Sequence, residues 1–467
     1  MLRLSTVMAA VCLVLFTIDL VQRREPLRRV YPLIGRFPIL LKRLLRLQRL
    51  TESSAPFTRT AALQIRQRAL TGSSESSFGT DNSAASLPPA LTVSLFPAQD
   101  VEIEPVRVGD PSSPHSFLLP RVNFGALGFG PASGAAIAAV AEAARINDCL
   151  HNSGEDGLTR HHRNAGSRLV WQIGTGYAGC RDAAGCFSNA EFTRTLQANS
   201  NITAIEIKIS QGAKPGSGGF LPRAKVSNKV ARIMNVPPRT DVISPAQHSE
   251  FRNEVELLDF IQHLRDLSGG IPIGLKICIG SHTAVEQLVH AMHREGRHPD
   301  YIVVDGAEGG TGSAPYILQQ HSGLPARTAV PILHQALQVH GLRDCVRIIA
   351  TGAIWNGFQV LELIAMGADA CYMVRSAMVA MGCVIARQCH TGKCPSGIAT
   401  QSLLRARGIS VTTQSHQLAR FYQTVLYDMQ ALLRAAGLKQ VAELDKQHLI
   451  QLPSEHSTGT TAELFHQ

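Results

Sequence analysis

The sequence lacks several features that would classify it quickly. Its 10 cysteines are spread over 467 residues, too thinly for a disulfide scaffold, which is a short and cysteine-dense chain. A reduced compartment and a cysteine-bound cofactor fit better. No repeat of fixed period runs through it, and no GxGxxG follows an early strand pattern, which argues against an open dinucleotide-binding sheet. Past residue 70 there is no charge imbalance. Residues 1–70 hold 13 Lys/Arg against 3 Asp/Glu, 13 − 3 = +10, which is the whole net charge; the rest holds 32 of each. A basic chain of this kind does not imply nucleic acid, because the charge sits beside an apolar segment.

That segment, residues 4–21 (LSTVMAAVCLVLFTIDLV), contains one acid, Asp19. Its length just reaches the lower limit for a membrane span. Arg23, Arg24, Arg28 and Arg29 follow it and only Arg3 precedes it. The positive-inside rule then predicts one N-terminal span in the cell inner membrane, with the catalytic bulk in the cytoplasm. A cleaved signal peptide fits less well: no small-x-small site is clear, and the charge lies on the wrong side. A second apolar patch, residues 30–41, is broken by Pro32 and Pro38. It is expected in the membrane interface, with Lys42, Arg43, Arg46 and Arg49 on headgroups, or as a basic helix on the body of the protein.

Four zones follow: an anchor and basic segment (1–50), a Ser/Thr-rich linker arm and lead-in (51–120), a strand–helix alternation (121–410), and a tail (411–467) with a helix at 417–436 and a polar end. Strand-like runs fall at 122–127, 169–173, 204–209, 273–279, 301–304, 346–350 and 370–374. They lack strict polar alternation, as strands buried on both faces do. Helical patterns fall between them at 135–145, 254–267, 284–295, 331–340 and 359–366. The pattern predicts an α/β fold, a (β/α)8 barrel with an eighth strand assumed for closure. The stretch 211–250 is long for a loop, and its position after a strand places it on the catalytic face of a barrel.

Five motifs carry chemistry. QGAKPGSGG (211–219) puts Lys214 in a loop whose backbone can approach a ligand; a flexible loop with a surface lysine is the alternative. VVDGAEGGTGSAP brackets Gly309, Gly310, Thr311 and Gly312 with Asp305 and Glu308. IIATGAIWNG and MGADACYMVRSA supply Gly352, Gly367 and Arg375 near the last two strands, where barrels commonly bind phosphate; ordinary turns would look similar. Lys276 lies inside an apolar strand, where it either stabilises negative charge at the mouth or forms an ion pair. Cys383-x5-Cys389-His390-x3-Cys394-Pro395 has the close thiolates and Cys-Pro ending of an iron–sulfur site, and three cysteines suit a three-iron (3Fe-4S) cluster. A Cys3His zinc site through His390 stays open. Cys180 and Cys186 read as structural, and Cys278, Cys345 and Cys371 as core.

With these segments and NFGALGFG, HNSGEDG, WQIGTGYAGCRD and VISPAQHS, the stretch from about 122 to 407 resembles the FMN-binding synthase domain of glutamate synthase. It resembles more closely the stand-alone bacterial proteins of that family. The resemblance implies FMN near Gly125, Ala126, Gln172, Gly174, Lys276, the Gly309–Gly312 loop, Gly352 and Arg375, joined by Asp305 and Gly367 from the motifs above. It implies a cluster on Cys383, Cys389 and Cys394, and Lys214 and Glu155 beside flavin and substrate. It implies reductive amination of 2-oxoglutarate to glutamate, with electrons passing through the cluster. The sequence holds no counterpart of the glutaminase domain, so ammonia and electrons are expected from separate glutaminase and donor subunits or ferredoxin. Two departures concern the substrate. Phe220 stands where the large synthases have Gln, and Met234 falls by counting where they have a carboxylate-gripping Arg, a fork no apolar group replaces. Arg223 or Arg232 is the expected substitute. Other expectations are a flavoenzyme for a different imine, keto acid or N-substituted glutamate, and a membrane-tethered electron-transfer subunit.

Overall fold

A computed structural model describes residues 2–37, 40, 57–75 and 89–450. Eight parallel strands close into a barrel. In chain order they are β1 (Val122–Ala126), β2 (His151–Asn152), β3 (Leu169–Ile173), β4 (Ile202–Lys208), β5 (Ile273–Ile277), β6 (Tyr301–Asp305), β7 (Arg347–Thr351) and β8 (Ala370–Met373), and β8 pairs back onto β1. The fold is the one expected. The strand that periodicity could not find is β2, which has 2 residues. No period can be read from so short a run.

Side chains alternate inward and outward along each strand. The inward set forms its own core of Leu150, Val170, Ala204, Tyr301, Val303, Ile349, Ala370 and Tyr372, joined at the bottom by Val108 and Leu119. These last two come from an antiparallel hairpin, Val106–Val108 with Phe117–Leu119, which plugs that end. The same alternation carries polar residues to the other end: Ala204, Glu206 and Lys208 on β4, Tyr301, Val303 and Asp305 on β6, Gly274 and Lys276 on β5. Outside, helices bury apolar faces on the strands. Glu254–Leu267 matches its expected bounds. Ala326–Val339 begins a turn before Pro331, which lies inside it rather than at its start. The last helix, Val411–Ala436, is longer than expected and packs on Gly134–Ile146, Arg59–Thr71 and Gly357–Ala365. Gly357 permits one of these contacts, since an added Cβ would lie 2.6 Å from the Met429 nitrogen.

Two expectations about the lead change. The linker arm contains a helix, Arg59–Thr71, capped by Thr58 and Gly72, with Ile65 and Ala69 fully buried. Its Arg68 pairs with Asp428 and lies 5.7 Å over the Trp355 ring. The Ser/Thr-rich flanks hid the helical spacing of its apolar residues. The membrane span is also overturned: among the described residues no helix is long and apolar enough to cross a membrane. The 20-residue helix Leu2–Val21 exists, and Val7, Met8, Leu13 and Val21 on it are exposed. Asp19 near its end is fully buried, ion-paired with Arg36 at 2.8 Å, and accepts the Leu33 N–H at 3.0 Å. The acid therefore turns the chain back on itself. The single-span inner-membrane placement loses its basis. Residues 38, 39 and 41–50 of the expected interfacial patch, 51–56 and 76–88 of the linker, and the polar end 451–467 lie outside the described residues.

Candidate active site at the barrel mouth

Charged side chains converge where the strands end. Lys276 Nζ lies 3.3 Å from Asp305 Oδ2. Lys208 Nζ lies 2.6 Å from Glu155 Oε1 and donates to Gln211 Oε1 at 2.8 Å. Lys214 Nζ lies 3.6 Å from the same Glu155 oxygen and donates to the Gly218 carbonyl at 3.1 Å. Register explains part of this, because Lys276 is paired directly with Lys208 across β5 and β4. Two like charges side by side need carboxylates close by. Burial would discharge Lys276, but Asp305 and Glu206 outweigh it and raise its pKa. Burial wins at Lys208 and lowers its pKa despite Glu155. Burial also acts on Glu155, but Lys208 and Lys214 overcome it and hold the carboxylate down to about 2. Its neighbour Asp156 is pushed up to about 7 by burial and by Glu155.

The lysine loop is folded onto β6. Gly212 N donates to Asp305 Oδ2 at 3.1 Å, and an added Cβ on Gly212 would sit 1.7 Å from the Gly306 oxygen. Gly174 also faces Glu155 closely, with 2.7 Å from an added Cβ to the Glu155 Cβ. Arg375, after β8, donates to the Glu308 carbonyl. Its Nε is buried without a partner, and burial pulls its pKa down to about 10. Gly310 leaves room for it, since an added Cβ would lie 2.5 Å from Arg375 Cδ. Gly352 approaches Glu308 in the same way, and Gly125 at the end of β1 approaches Val374. Thr311 turns its hydroxyl onto the Ser313 carbonyl, 3.0 Å away.

The structure thus brings together Lys214, Lys276, Glu155, Gly125, Ala126, Gly174, Asp305, Gly309, Gly310, Thr311, Gly312, Gly352 and Arg375 around one end of the barrel. Gln172 joins this group from the inner face, and one expected residue, Gly367, differs. Gln172 points into the barrel, where it donates to Glu206 Oε1 at 2.5 Å. Gly367 precedes β8 and lies at the opposite end, where its carbonyl accepts from Arg343 at 3.0 Å. Its φ of +110° and the crowding of His334 explain the glycine. Lys208, Glu206 and Asp156 escaped sequence reasoning. Lys208 and Glu206 carried the same signal as Lys276, a charge inside an apolar strand, at a spacing of two that puts both on the inner face.

Cys383, Cys389 and Cys394 come from one loop after the helix Arg375–Ala380. Burial raises the Cys383 thiol, and Cys389 and Cys394 raise it further; Cys389 reaches about 11 through burial and Cys394. All ten cysteines are free. Among the described residues no group of three or more His, Cys, Asp or Glu side chains is arranged to hold a metal ion. Cys180 and Cys371 are buried, whereas Cys345, expected in the core, is exposed because it lies in the turn before β7.

A family model described as the conserved region in glutamate synthase matches residues 91–439. The chain belongs to the glutamate synthase family. It is 37% identical over 316 residues to the glutamate synthase large subunit-like protein YerD of Bacillus subtilis (strain 168), covering 68% of this chain and 60% of that one. It is 33% identical over 333 residues to the archaeal-type glutamate synthase [NADPH] of Thermotoga neapolitana, covering 71% and 62%. Against the chloroplastic ferredoxin-dependent glutamate synthase of Oryza sativa subsp. japonica the identity is 34% over 245 residues, 52% of this chain and 15% of that one. The chain therefore spans about 60% of the length of the first family members it matches. The match begins at residue 91, so the helices Leu2–Val21 and Arg59–Thr71 lie outside the conserved region.

Proposed function

We propose that the chain is an FMN-dependent oxidoreductase of glutamate-synthase type, which converts 2-oxoglutarate and ammonia to glutamate and carries an iron–sulfur cluster on Cys383, Cys389 and Cys394. The observation that carries this reading is the convergence of Lys208, Lys214 and Lys276 at the barrel mouth, where Glu155 and Asp305 pair with them and Glu206 acts on Lys276. Ammonium groups fixed in a largely buried mouth suit an anion.

The residues present fit a flavin mononucleotide. The unpartnered Arg375 Nε and the closely approached Gly310 and Gly352 suit its phosphate. Lys276, kept charged by Asp305 and Glu206, suits the electron-rich end of its ring. Bound FMN supplies hydride transfer. The chain's own groups do the rest. Lys214, held in place by Glu155, orients an anionic substrate, and the lysine loop folded on Asp305 screens the mouth from water. Imine reduction consumes a proton as well as a hydride, and Asp156 is a carboxyl that can hold one near neutral pH. Cys383, Cys389 and Cys394 share one loop and are the donor set an iron–sulfur cluster needs, but among the described residues they are not arranged to hold a metal ion. Electrons would come from a donor subunit or ferredoxin, and ammonia from a glutaminase.

A second reading concerns the substrate. Met234 is buried in an apolar cluster with Phe129 and Leu221, while Arg223 and Arg232, the expected substitutes, are exposed. Phe220 pairs with Ile243 in a rim ribbon and is 42% exposed. These residues favour a keto acid or imine less dependent on a second carboxylate. Titration of the yellow-brown holoprotein with 2-oxoglutarate separates the two. A shift in the flavin bands, with glutamate formed from ammonia and reduced flavin, supports the first. A shift only with other keto acids supports the second. A reconstituted protein that stays colourless overturns both.

A further inference from the structure

His248 is buried in the long loop between β4 and β5, and both of its ring nitrogens are engaged. Nε2 lies 3.0 Å from the Lys208 carbonyl oxygen. A carbonyl only accepts, so Nε2 carries the hydrogen. Burial holds the ring neutral, with its pKa down to about 4. Nδ1 therefore accepts from the Tyr177 hydroxyl, 3.0 Å away, and that hydroxyl in turn accepts the Ser249 N–H at 3.1 Å. The ring packs on Tyr177 and Phe251, with centroids 5.2 and 4.9 Å away. Tyr177 is 1% exposed and has a φ of +49°, a left-handed backbone that is costly for an aromatic residue.

Both partners of His248 lead to Glu155. The pairing of β3 with β4 stops at Ile173 opposite Ile207, so the Lys208 carbonyl lies beyond that ladder and finds its donor in a side chain. From the same residue, Nζ reaches Glu155 Oε1 at 2.6 Å. Tyr177 N donates to the Gly174 carbonyl at 2.9 Å, and Gly174 is the glycine that faces Glu155. Lys208 needs support of this kind. Its register partner across the sheet is Lys276, a second cation, and two ammoniums at that spacing repel.

We infer that His248, fixed by Tyr177, is a positioning residue for Lys208: it anchors the end of β4 so that the Lys208 ammonium stays on Glu155. This rests on the reading of the mouth as an anion-binding catalytic site, in which Glu155 also holds Lys214.

The test is a double-mutant cycle between His248→Leu and Glu155→Gln in the full chain, read by denaturant unfolding, with His248→Gln as the control. Leucine keeps much of the bulk of the ring and loses both nitrogens, whereas the glutamine amide can still donate to the Lys208 carbonyl. If His248 acts through Lys208, its loss already loosens the Glu155 pair, and the two substitutions are not additive. The expected coupling is about tenfold in the unfolding equilibrium constant, and it vanishes when His248→Gln replaces His248→Leu. Additive effects of His248→Leu and Glu155→Gln overturn the inference. Equal coupling for the leucine and glutamine variants also overturns it, since the ring would then act by packing alone. Tyr177→Phe removes one hydroxyl and leaves the packing, so it carries the same cycle should His248→Leu not fold; a smaller coupling of the same sign is expected, and additivity there overturns the inference too. Titration of the wild-type flavin bands with keto acids is a separate measurement. No shift with any of them overturns the proposed function, while the cycle still decides the role of His248.

Discussion

The two ends of the barrel use the same residue types for opposite purposes. At the bottom, Asp369 pairs with Arg343 at 2.8 Å and accepts the Ile348 N–H at 2.7 Å. Arg121 donates to the Asp369 carbonyl at 2.9 Å and pairs with Glu104 at 2.6 Å. These charges satisfy one another, and a hairpin plug covers them. At the mouth, Glu206 Oε2 and Arg375 Nε are buried without hydrogen-bond partners. A closed network stabilises the fold, while an incomplete one leaves room for a ligand. The difference shows why a charged residue near a strand end is informative only when its partners are counted.

Four experiments can break or sharpen that contrast. The largest effect is expected at the bottom. Asp369→Ala leaves the Ile348 N–H without its acceptor and the half-buried Arg343 without its counter-charge and is expected to cost about 3 kcal/mol, read by denaturant unfolding, with turnover per folded molecule unchanged. An unaltered unfolding midpoint would mean that the bottom network is ornamental. At the mouth, Lys276→Met is expected to slow turnover by about 10²–10³-fold with a much smaller change in melting temperature. If melting falls as far as in Asp369→Ala, the mouth lysine belongs to a structural pair instead.

The third experiment uses pH. Asp156 is raised from 3.8 to about 7 in the folded chain. Its contribution to stability is therefore complete below pH 3.8 and disappears as pH rises through about 7. Glu155 is depressed from 4.5 to about 2, so its contribution is present above pH 4.5 and is lost as pH falls through about 2. Asp156→Asn should flatten the dependence of unfolding free energy on pH between about 4 and 7; an unchanged slope would remove Asp156 as the mouth's proton holder. The smallest effect belongs to neither end. Thr58→Ala removes the cap that accepts the Ala61 N–H at 3.1 Å and should cost about 1 kcal/mol without altering flavin content, measured by thermal melting and absorbance.

Much of the site was legible because the chemistry is local to strand ends. Lys276 stood out as a cation in an apolar run, and Asp305 with Gly309 and Gly310 as a loop made for close approach. Register adds what sequence could not show for Gln172, that it lies opposite Glu206 and donates to it. Gly367 misled, because a glycine before a strand and one after it lie at opposite ends of a parallel barrel. The N-terminal segment misled most. Hydropathy reads Asp19 as a blemish in a span, whereas its pairing with Arg36 makes it the anchor of a turn.

The alternation of buried strands and helices, set by the periods 2 and 3.6, determined the barrel from the sequence alone, and the spacing of Cys383, Cys389 and Cys394 marked one loop as special. Only the tertiary structure decided which charges meet. Lys208 and Lys276 became neighbours through strand register, Glu155 and Lys214 arrived from loops after different strands, and Lys225 reached the cysteine loop from more than 150 positions away in the chain. Such encounters depend on how the barrel closes, and Coulomb interactions at a few ångströms depend on that closure far more than on order along the chain.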